Sequence, residues 1–190
     1  KVKKLIYAAS SSCYGLPKKI PTPETEKIDT NHPYAFTKFL GEKIVINYAN
    51  LFKMPNISCR FFNVYGPRLN MNGQYGAVFS NFLKQKKNKN PLTVVGNGKQ
   101  TRDFIHVDDL TNAFIKLTKC NLKNKIYNLG SGKETSINKI VSIIGGKKIF
   151  IPKKPGDPQR SCANISKIKK DLNWKPKISI KAGIRKLFNY

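Results

Sequence analysis

Acidic residues are scarce in this chain: 10 Asp and Glu stand against 36 Lys and Arg in 190 residues, a formal net charge of +26. Such an imbalance ordinarily points to nucleic acid or another anionic surface. Arginine is scarce too, with only Arg60, Arg68, Arg102, Arg160 and Arg185, and the Lys residues are spread along the chain among many Asn and Ile. The densest run is only "KQKKNKN". This distribution reads as solvated Lys faces or as attraction for an anionic small substrate, and a basic nucleic-acid-binding module stays as a remote alternative resting on charge alone. Long apolar runs are absent: none approaches the roughly 20 residues of a membrane-spanning helix, so no membrane partner is expected. The stretch "KVKKLIYAASSS" has a basic flank but too short an apolar segment for a secretory signal. Cysteine is limited to Cys13, Cys59, Cys120 and Cys162, scattered without a CxxC pair, and only His32 and His106 could join them around a metal. Reduced thiols, no metal site and a cytoplasmic location are the expectations.

A complete dinucleotide fingerprint is also missing. In "YNLGSGKET" Gly130 and Gly132 begin one, but Thr135 stands where a third Gly would allow close helix packing. A turn with Gly at positive φ is the simpler reading.

What is present is an alternation of strand-like apolar runs and helical patterns, the signature of an α/β protein with parallel strands. "KKLIYAAS" reads as a buried strand, residues 33 to 52 as a helix with Pro33 in its first turn, and "NISCRFF" as the next strand. Further along come a helix near 75 to 87, a strand "LTVV", the stretch "TRDFIHV", a helix led by Asp108 and Asp109, then strand, helix and strand at "KIYNLG", "TSINKIVSII" and "KKIFIP". Two short helical pieces near 166 to 172 and 179 to 188 close the pattern.

Tyrosine and lysine four residues apart occur twice, and chance alone supplies roughly one such pair at this composition. In "YGLPK", Gly15 and Pro17 argue against a helix. In "PYAFTK", Tyr34 and Lys38 sit on a helical segment, one turn apart on one face, where the ammonium can lie close to the phenol. A neighbouring cation favours the anionic form of a phenol, which can then act as a base. Upstream, Ser10, Ser11 and Ser12 end the first strand at the carboxyl edge, where open α/β sheets place their ligands.

"SSSCYG", "PYAFTK", "RFFNVYGPR", "GNGKQTRDFIHVDDL", "YNLGSG" and "PGDPQRSCANISKIKKDLNW", in this order, resemble the nucleotide-sugar epimerases and dehydratases of the extended short-chain dehydrogenase/reductase family. The resemblance covers essentially all 190 residues. It implies the carboxy-terminal part of a Rossmann-like parallel sheet with a smaller α/β substrate-binding domain. Residues 1–70 would be a partial NAD domain, and 71–190 mainly the substrate domain with segments returning to the first. Family members also carry an amino-terminal glycine-rich NAD loop and about three further strands. The chain therefore reads as a carboxy-terminal portion of a longer protein, inactive by itself.

The resemblance also implies roles. Tyr34 is similar to the general base, Lys38 to its activating partner and ribose ligand, and Ser10 to the residue that holds the sugar hydroxyl. Phe62 matches a nicotinamide contact and Asn63 a substrate-phosphate contact, with an ordinary turn residue as the alternative for Asn63. Arg102 matches the diphosphate-binding Arg, with a surface ion pair to Asp103 as the alternative. Asp157 matches a ribose ligand. Lys154 stands where many members have Arg, and so keeps the charge without the bidentate fork. Ala77 and Val78 lie in a segment similar to the uridine-contacting loop. Ser11 and Ser12 occupy the positions that hold an Asp-Glu pair in the family's dehydratases, which removes the acid and base needed for water elimination. Ser161 is small where a bulky Tyr resembles forms limited to unsubstituted hexoses. Arg160 beside it is a charge that could face a uronate.

The expected activity is thus NAD-dependent 4-epimerisation of a UDP-sugar, of the UDP-N-acetylglucosamine or UDP-glucose type, through a transient 4-keto intermediate, in a homodimer. Another nucleotide-sugar reaction of the same family, such as uronate epimerisation, decarboxylation or reduction, is the alternative.

Overall fold

The computed structural model describes residues 2–70, 78–153 and 158–188. Along the chain the elements are β1 (Leu5–Ser10), α1 (Pro33–Leu51), β2 (Asn56–Phe61), β3 (Asn63–Tyr65), α2 (Val78–Lys87), β4 (Leu92–Val95), β5 (Thr101–His106), α3 (Val107–Lys119), β6 (Lys125–Leu129), β7 (Glu134–Ser136), α4 (Ile137–Ile144), β8 (Lys148–Ile151), α5 (Ser166–Leu172) and α6 (Ile180–Phe188).

β1, α1 and β2 make a βαβ unit whose strands are parallel neighbours, in register from Leu5 opposite Asn56 to Ser10 opposite Phe61. On the other side of β2 lies β6, also parallel, with Phe61 opposite Leu129. β2 is therefore central, which explains its unbroken burial from Asn56 to Arg60. The reading of the first strand as buried holds only at its end. Ala9 and Ser10 are buried while Ala8 is exposed, because β1 has one strand neighbour among the described residues.

A second set of strands builds a separate layer. β3 runs parallel to β5, β7 runs antiparallel to β5, and β4 pairs with β8 in parallel. Two apolar cores result. Ile57, Cys59, Tyr127, Leu129, Ile105, Leu117 and Trp174 belong to the first. Tyr65, Phe79, Phe82, Leu92, Val94, Ile140, Ile184 and Leu187 belong to the second. β5 feeds both, because Phe104 and Ile105 point to opposite faces of an extended strand. That strand is thus the mechanical link between the sheet of β1, β2 and β6 and the second layer.

β5 passes directly into α3 at His106, which caps the helix: its Nδ1 accepts a hydrogen bond from the Asp108 backbone N–H at 3.2 Å. The ring is buried edge-on against Tyr65, at 5.3 Å between centroids, and its Nε2 has no hydrogen-bond partner among the described residues. An accepting Nδ1 requires the neutral imidazole. Burial pushes the His106 pKa below its ordinary value, Asp108 pulls it back up, Lys186 pushes it down, and Asp109 raises it again. With the folded pKa depressed, this contribution to stability is present in full above the unfolded value of about 6.5 and is lost as pH falls through the folded value. The melting temperature should therefore drop between about pH 7 and about pH 5, and His106→Asn, which retains a capping side chain, should flatten that dependence. An identical slope in the variant would show that His106 is not the group responsible.

Candidate active site

At the carboxyl ends of β1 and β2 the surface opens into a cavity of about 360 Å³, lined among others by Ser10, Ser11, Ser12, Tyr34, Phe62, Asn63, Arg102, Arg160 and Ser161. This is where parallel sheets leave room for ligands, because the strands end and their helices turn away. Arg102 and Arg160 face it, and no Asp or Glu lines it among the described residues.

The serine cluster is organised by a single 3-10 turn over Ser11–Tyr14. Ser10 Oγ accepts from the Ser12 backbone N–H at 3.2 Å and from Ser12 Oγ at 2.8 Å. With both acceptor positions engaged, the Ser10 hydroxyl proton is the one left to be donated outward. The turn stops at Gly15, so "YGLPK" forms no helix and Tyr14 and Lys18 are no catalytic pair.

Tyr34 reaches the cavity from the first turn of α1. His32 caps that helix, its Nδ1 accepting from Ala35 N–H at 3.3 Å, Pro33 occupies the first position, and the His32 ring stacks on Tyr34 at 6.3 Å. One turn on, Lys38 does not line the cavity: its ammonium lies over the ring of Tyr7, 5.3 Å from the centroid. Tyr7 in turn donates a long hydrogen bond, 3.4 Å, to the Lys38 carbonyl. Burial pushes the Tyr7 phenol up, and Glu42 and then Tyr34 add to this electrostatically. α1 can approach β1 this closely because Gly41 faces Tyr7. A Cβ there would clash with the Tyr7 hydroxyl oxygen.

The opposite wall depends on Asp103. Its buried carboxylate accepts from Ser131 N–H and Ser131 Oγ, both at 2.6 Å, from Gly132 N–H at 2.9 Å and from Ala163 N–H at 3.0 Å. Burial raises its pKa, and these same hydrogen bonds oppose the rise. The Gly130–Gly132 turn, with Gly132 at φ +70°, is therefore an anion nest filled by the protein's own carboxylate. Asp103 is fully committed inward, so its carboxylate is not a surface partner for Arg102.

The strand pairing continues beyond the carboxylate: Thr101 N–H donates to Gln159 O and Ser161 N–H to Thr101 O. This brings Ser161 to the cavity. Arg160 beside it is held by Glu134, with Nη2 at 2.6 Å and Nε at 3.0 Å. Asn63 Nδ2 donates to the Asp103 carbonyl at 3.1 Å, fixing it next to Arg102.

Of the residues singled out from the sequence, Ser10, Ser11, Ser12, Tyr34, Phe62, Asn63, Arg102 and Ser161 share the cavity. Val78 does not; it starts α2 and packs against the second apolar core. Ala77, Lys154 and Asp157 lie outside the described residues. Sequence reasoning missed His32, whose position directly before Pro33 and Tyr34 was the available signal, Tyr14, which lies within "SSSCYG", and Thr22, which carried none. Cys13, Cys59 and Cys162 are poor nucleophiles: burial pushes Cys13 up to about 11, and Cys59 and Cys162 up to about 12. No three His, Cys, Asp or Glu side chains among the described residues converge on a metal position, and no described helix is long and apolar enough to cross a membrane.

The family model described as GDP-mannose 4,6 dehydratase matches residues 1–187. A UDP-glucuronate 4-epimerase of Thermodesulfobacterium geofontis is 36% identical over 197 aligned positions, covering 100% of this chain and 59% of the relative. Among solved structures, a UDP-N-acetylglucosamine 4-epimerase from Methanobrevibacter ruminantium, in complex with UDP-N-acetylmuramic acid, superposes with a TM-score of 0.92 at 28% identity over 99% of this chain and 62% of that one. A UDP-glucuronic acid 4-epimerase from Bacillus cereus, in complex with UDP-glucuronic acid and NAD, superposes with a TM-score of 0.90 at 31% identity, covering 100% and 62%. The chain thus spans about three fifths of the length of the relatives it matches.

The contact between α1 and β1 makes a prediction of unusual sign. Gly→Ala in an exposed helix interior stabilises by about 0.5–1 kcal/mol. At Gly41 the added methyl meets Tyr7, so Gly41→Ala should instead destabilise by about 1–3 kcal/mol. Chemical denaturation measures this directly, and a stabilised variant would mean that the helix can move away from Tyr7 without cost.

Proposed function

The chain belongs to the nucleotide-sugar epimerase and dehydratase group of the extended short-chain dehydrogenase/reductase family, and on that premise we propose that the whole protein is an NAD-dependent 4-epimerase of a UDP-sugar. The observation that carries this reading is a cavity joining Ser10, Tyr34, Phe62, Asn63 and Arg102 with no carboxylate in its described lining. Elimination of water requires an acid and a base beside the sugar, and Ser11 and Ser12 supply neither.

The residues fit a nicotinamide at one side of the cavity, where Tyr34 and Phe62 stand at the carboxyl edge of the sheet. They do not offer a pyrophosphate cradle at Gly130–Gly132, which Asp103 fills. Bound NAD supplies the hydride acceptor and donor for C4 of the sugar. Tyr34 removes the C4 hydroxyl proton and later returns one. Lys38, on the same helix face, would turn from the ring of Tyr7 to bring its cation to the phenol and the ribose. Ser10, with its proton free to donate, orients the C4 oxygen. Asn63 and Arg102 hold the diphosphate, joined by Lys154 and Asp157. Ala77 belongs to the uridine side, whereas Val78 packs against the second apolar core. In this division residues 1–70 serve the cofactor and 71–190 mainly the substrate.

Pairing with a second copy is supported by a stripe along α1. Phe36, Leu40, Ile44, Tyr48 and Leu51 are all exposed at helical spacing, from 45% to 70%. A cytoplasmic setting fits four unpaired thiols.

With C4-deuterated UDP-sugar, the full-length protein should give the 4-epimer with the label kept at C4 and no scrambling at C2 or C3. A product lacking the elements of water would reject the epimerase reading.

For the sugar itself, Ser161 on the cavity wall favours a 2-acetamido substituent, because serine leaves volume that tyrosine would fill. A uronate is the second reading, favoured by Arg160 at the same wall, although Glu134 already engages its fork. Ser161→Tyr should reverse a preference for UDP-N-acetylhexosamine over UDP-hexose, by roughly 10-fold or more in the ratio of kcat/KM. Equal losses on both substrates would show that Ser161 is not the gate.

A further inference from the structure

Glu42 follows Tyr34 and Lys38 at two successive intervals of four residues, so the three share one face of α1. Unlike them it is buried, 1% exposed, and it meets Arg60 of β2, itself 3% exposed. The pair is bidentate: Arg60 Nη2 lies 2.6 Å from Glu42 Oε1 and Nε 3.1 Å from Oε2. Ser58 Oγ adds a hydrogen bond to Oε2 at 2.7 Å.

The rest of the guanidinium reaches the other side of the cavity. Nη1 donates to Tyr14 Oη at 3.0 Å and to the Glu24 carbonyl at 3.1 Å, and the group sits over the Tyr14 ring. Tyr14 lines the cavity directly after the serine cluster, and its hydroxyl donates to Asn128 Oδ1 of β6 at 2.7 Å. Arg60 itself stands two residues before Phe62 and three before Asn63. One planar cation therefore ties the helix of Tyr34 and Lys38 to the serine turn, to the nicotinamide-side strand end and to β6.

A buried pair of this kind is a poor way to gain stability, since removing two charges from water costs about as much as their attraction returns. What it supplies is direction. A planar fork accepts its partners at fixed angles, whereas apolar side chains in the same space would let α1 slide or rotate on β2. We propose that Glu42–Arg60 is a positioning pair for the site, setting the reach of Tyr34 and Lys38 relative to Ser10 and Phe62. This rests on the epimerase reading above.

The test uses the full-length protein and two variants, Arg60→Lys and the paired replacement Glu42→Met/Arg60→Met. The first keeps a cation opposite Glu42 and loses the fork. The second removes both charges and leaves none stranded; should it not fold, Arg60→Lys carries the test alone. Bound NAD per subunit, melting temperature, kcat per NAD-loaded subunit, KM and the pH–rate profile are measured. Both variants should load NAD and keep KM for the UDP-sugar within about twofold, while kcat per loaded subunit falls on the order of 10- to 100-fold. The pH–rate profile should change together with kcat, because the pair sets where the α1 face of Tyr34 and Lys38 stands. A pair that only supports the fold would lower the melting temperature and the loaded fraction, with kcat per loaded subunit and the profile unchanged, and that result overturns the proposal. Loss confined to NAD loading overturns it as well. A wild type that epimerises no UDP-sugar is the failure of the epimerase reading and takes this proposal with it. An active wild type beside variants of unchanged kcat is the failure of the proposal alone.

Discussion

The guanidinium of Arg60 is the point at which the first sheet, its crossover helix and the rim of the cavity are held to one another. Its N–H groups go to Glu42 on α1, to Tyr14 after β1 and to the Glu24 carbonyl in the long connection between them. Burial alone would disfavour its charged form, yet the hydrogen bonds and the charges around it hold its pKa above the ordinary arginine value. The same burial drives Tyr14 upward, so the network consists of a cation, an anion and a neutral phenol, each with a partner. Such an arrangement transmits geometry: the end of β2, the serine turn and the face of α1 cannot shift independently.

A second buried charge plays the corresponding part on the opposite wall of the cavity. Asp103 gathers the 131–132 turn and Ala163 around one carboxylate, and its neighbours Arg102 and Thr101 thereby face the cavity and the segment at 159–161. The cavity thus lies between two structures whose anchors are both fully paired. Charge elsewhere is of a different kind. The Lys excess lies largely on exposed positions, where solvent and salt screen it, and contributes a general attraction for anions rather than any particular geometry.

The residues of the cavity and of its support divide by how they could be recognised. Tyr34 and Lys38 were legible because a helix imposes a fixed interval, and Ser10 because a strand end follows an apolar run. Arg102 was legible as a cation within a motif, but its alternative pairing with Asp103 could be excluded only once that carboxylate was seen among four donors. Glu42 and Arg60 carry no such signal, since nothing in their spacing, 18 residues apart, says that they meet.

The sequence by itself determined the α/β architecture and the helix that carries Tyr34, because these follow from local periodicity, while the role given to Ser11 and Ser12 came only from the resemblance to nucleotide-sugar epimerases and dehydratases. Only the tertiary structure decided that Lys38 rests on Tyr7, that the glycine turn at 130–132 is filled from within, and that Ser161 and Arg160 reach the wall of the cavity. Each of these depends on contacts between residues far apart in the chain, and such contacts are selected by packing and by the need to pair every buried charge, not by anything written in the local sequence.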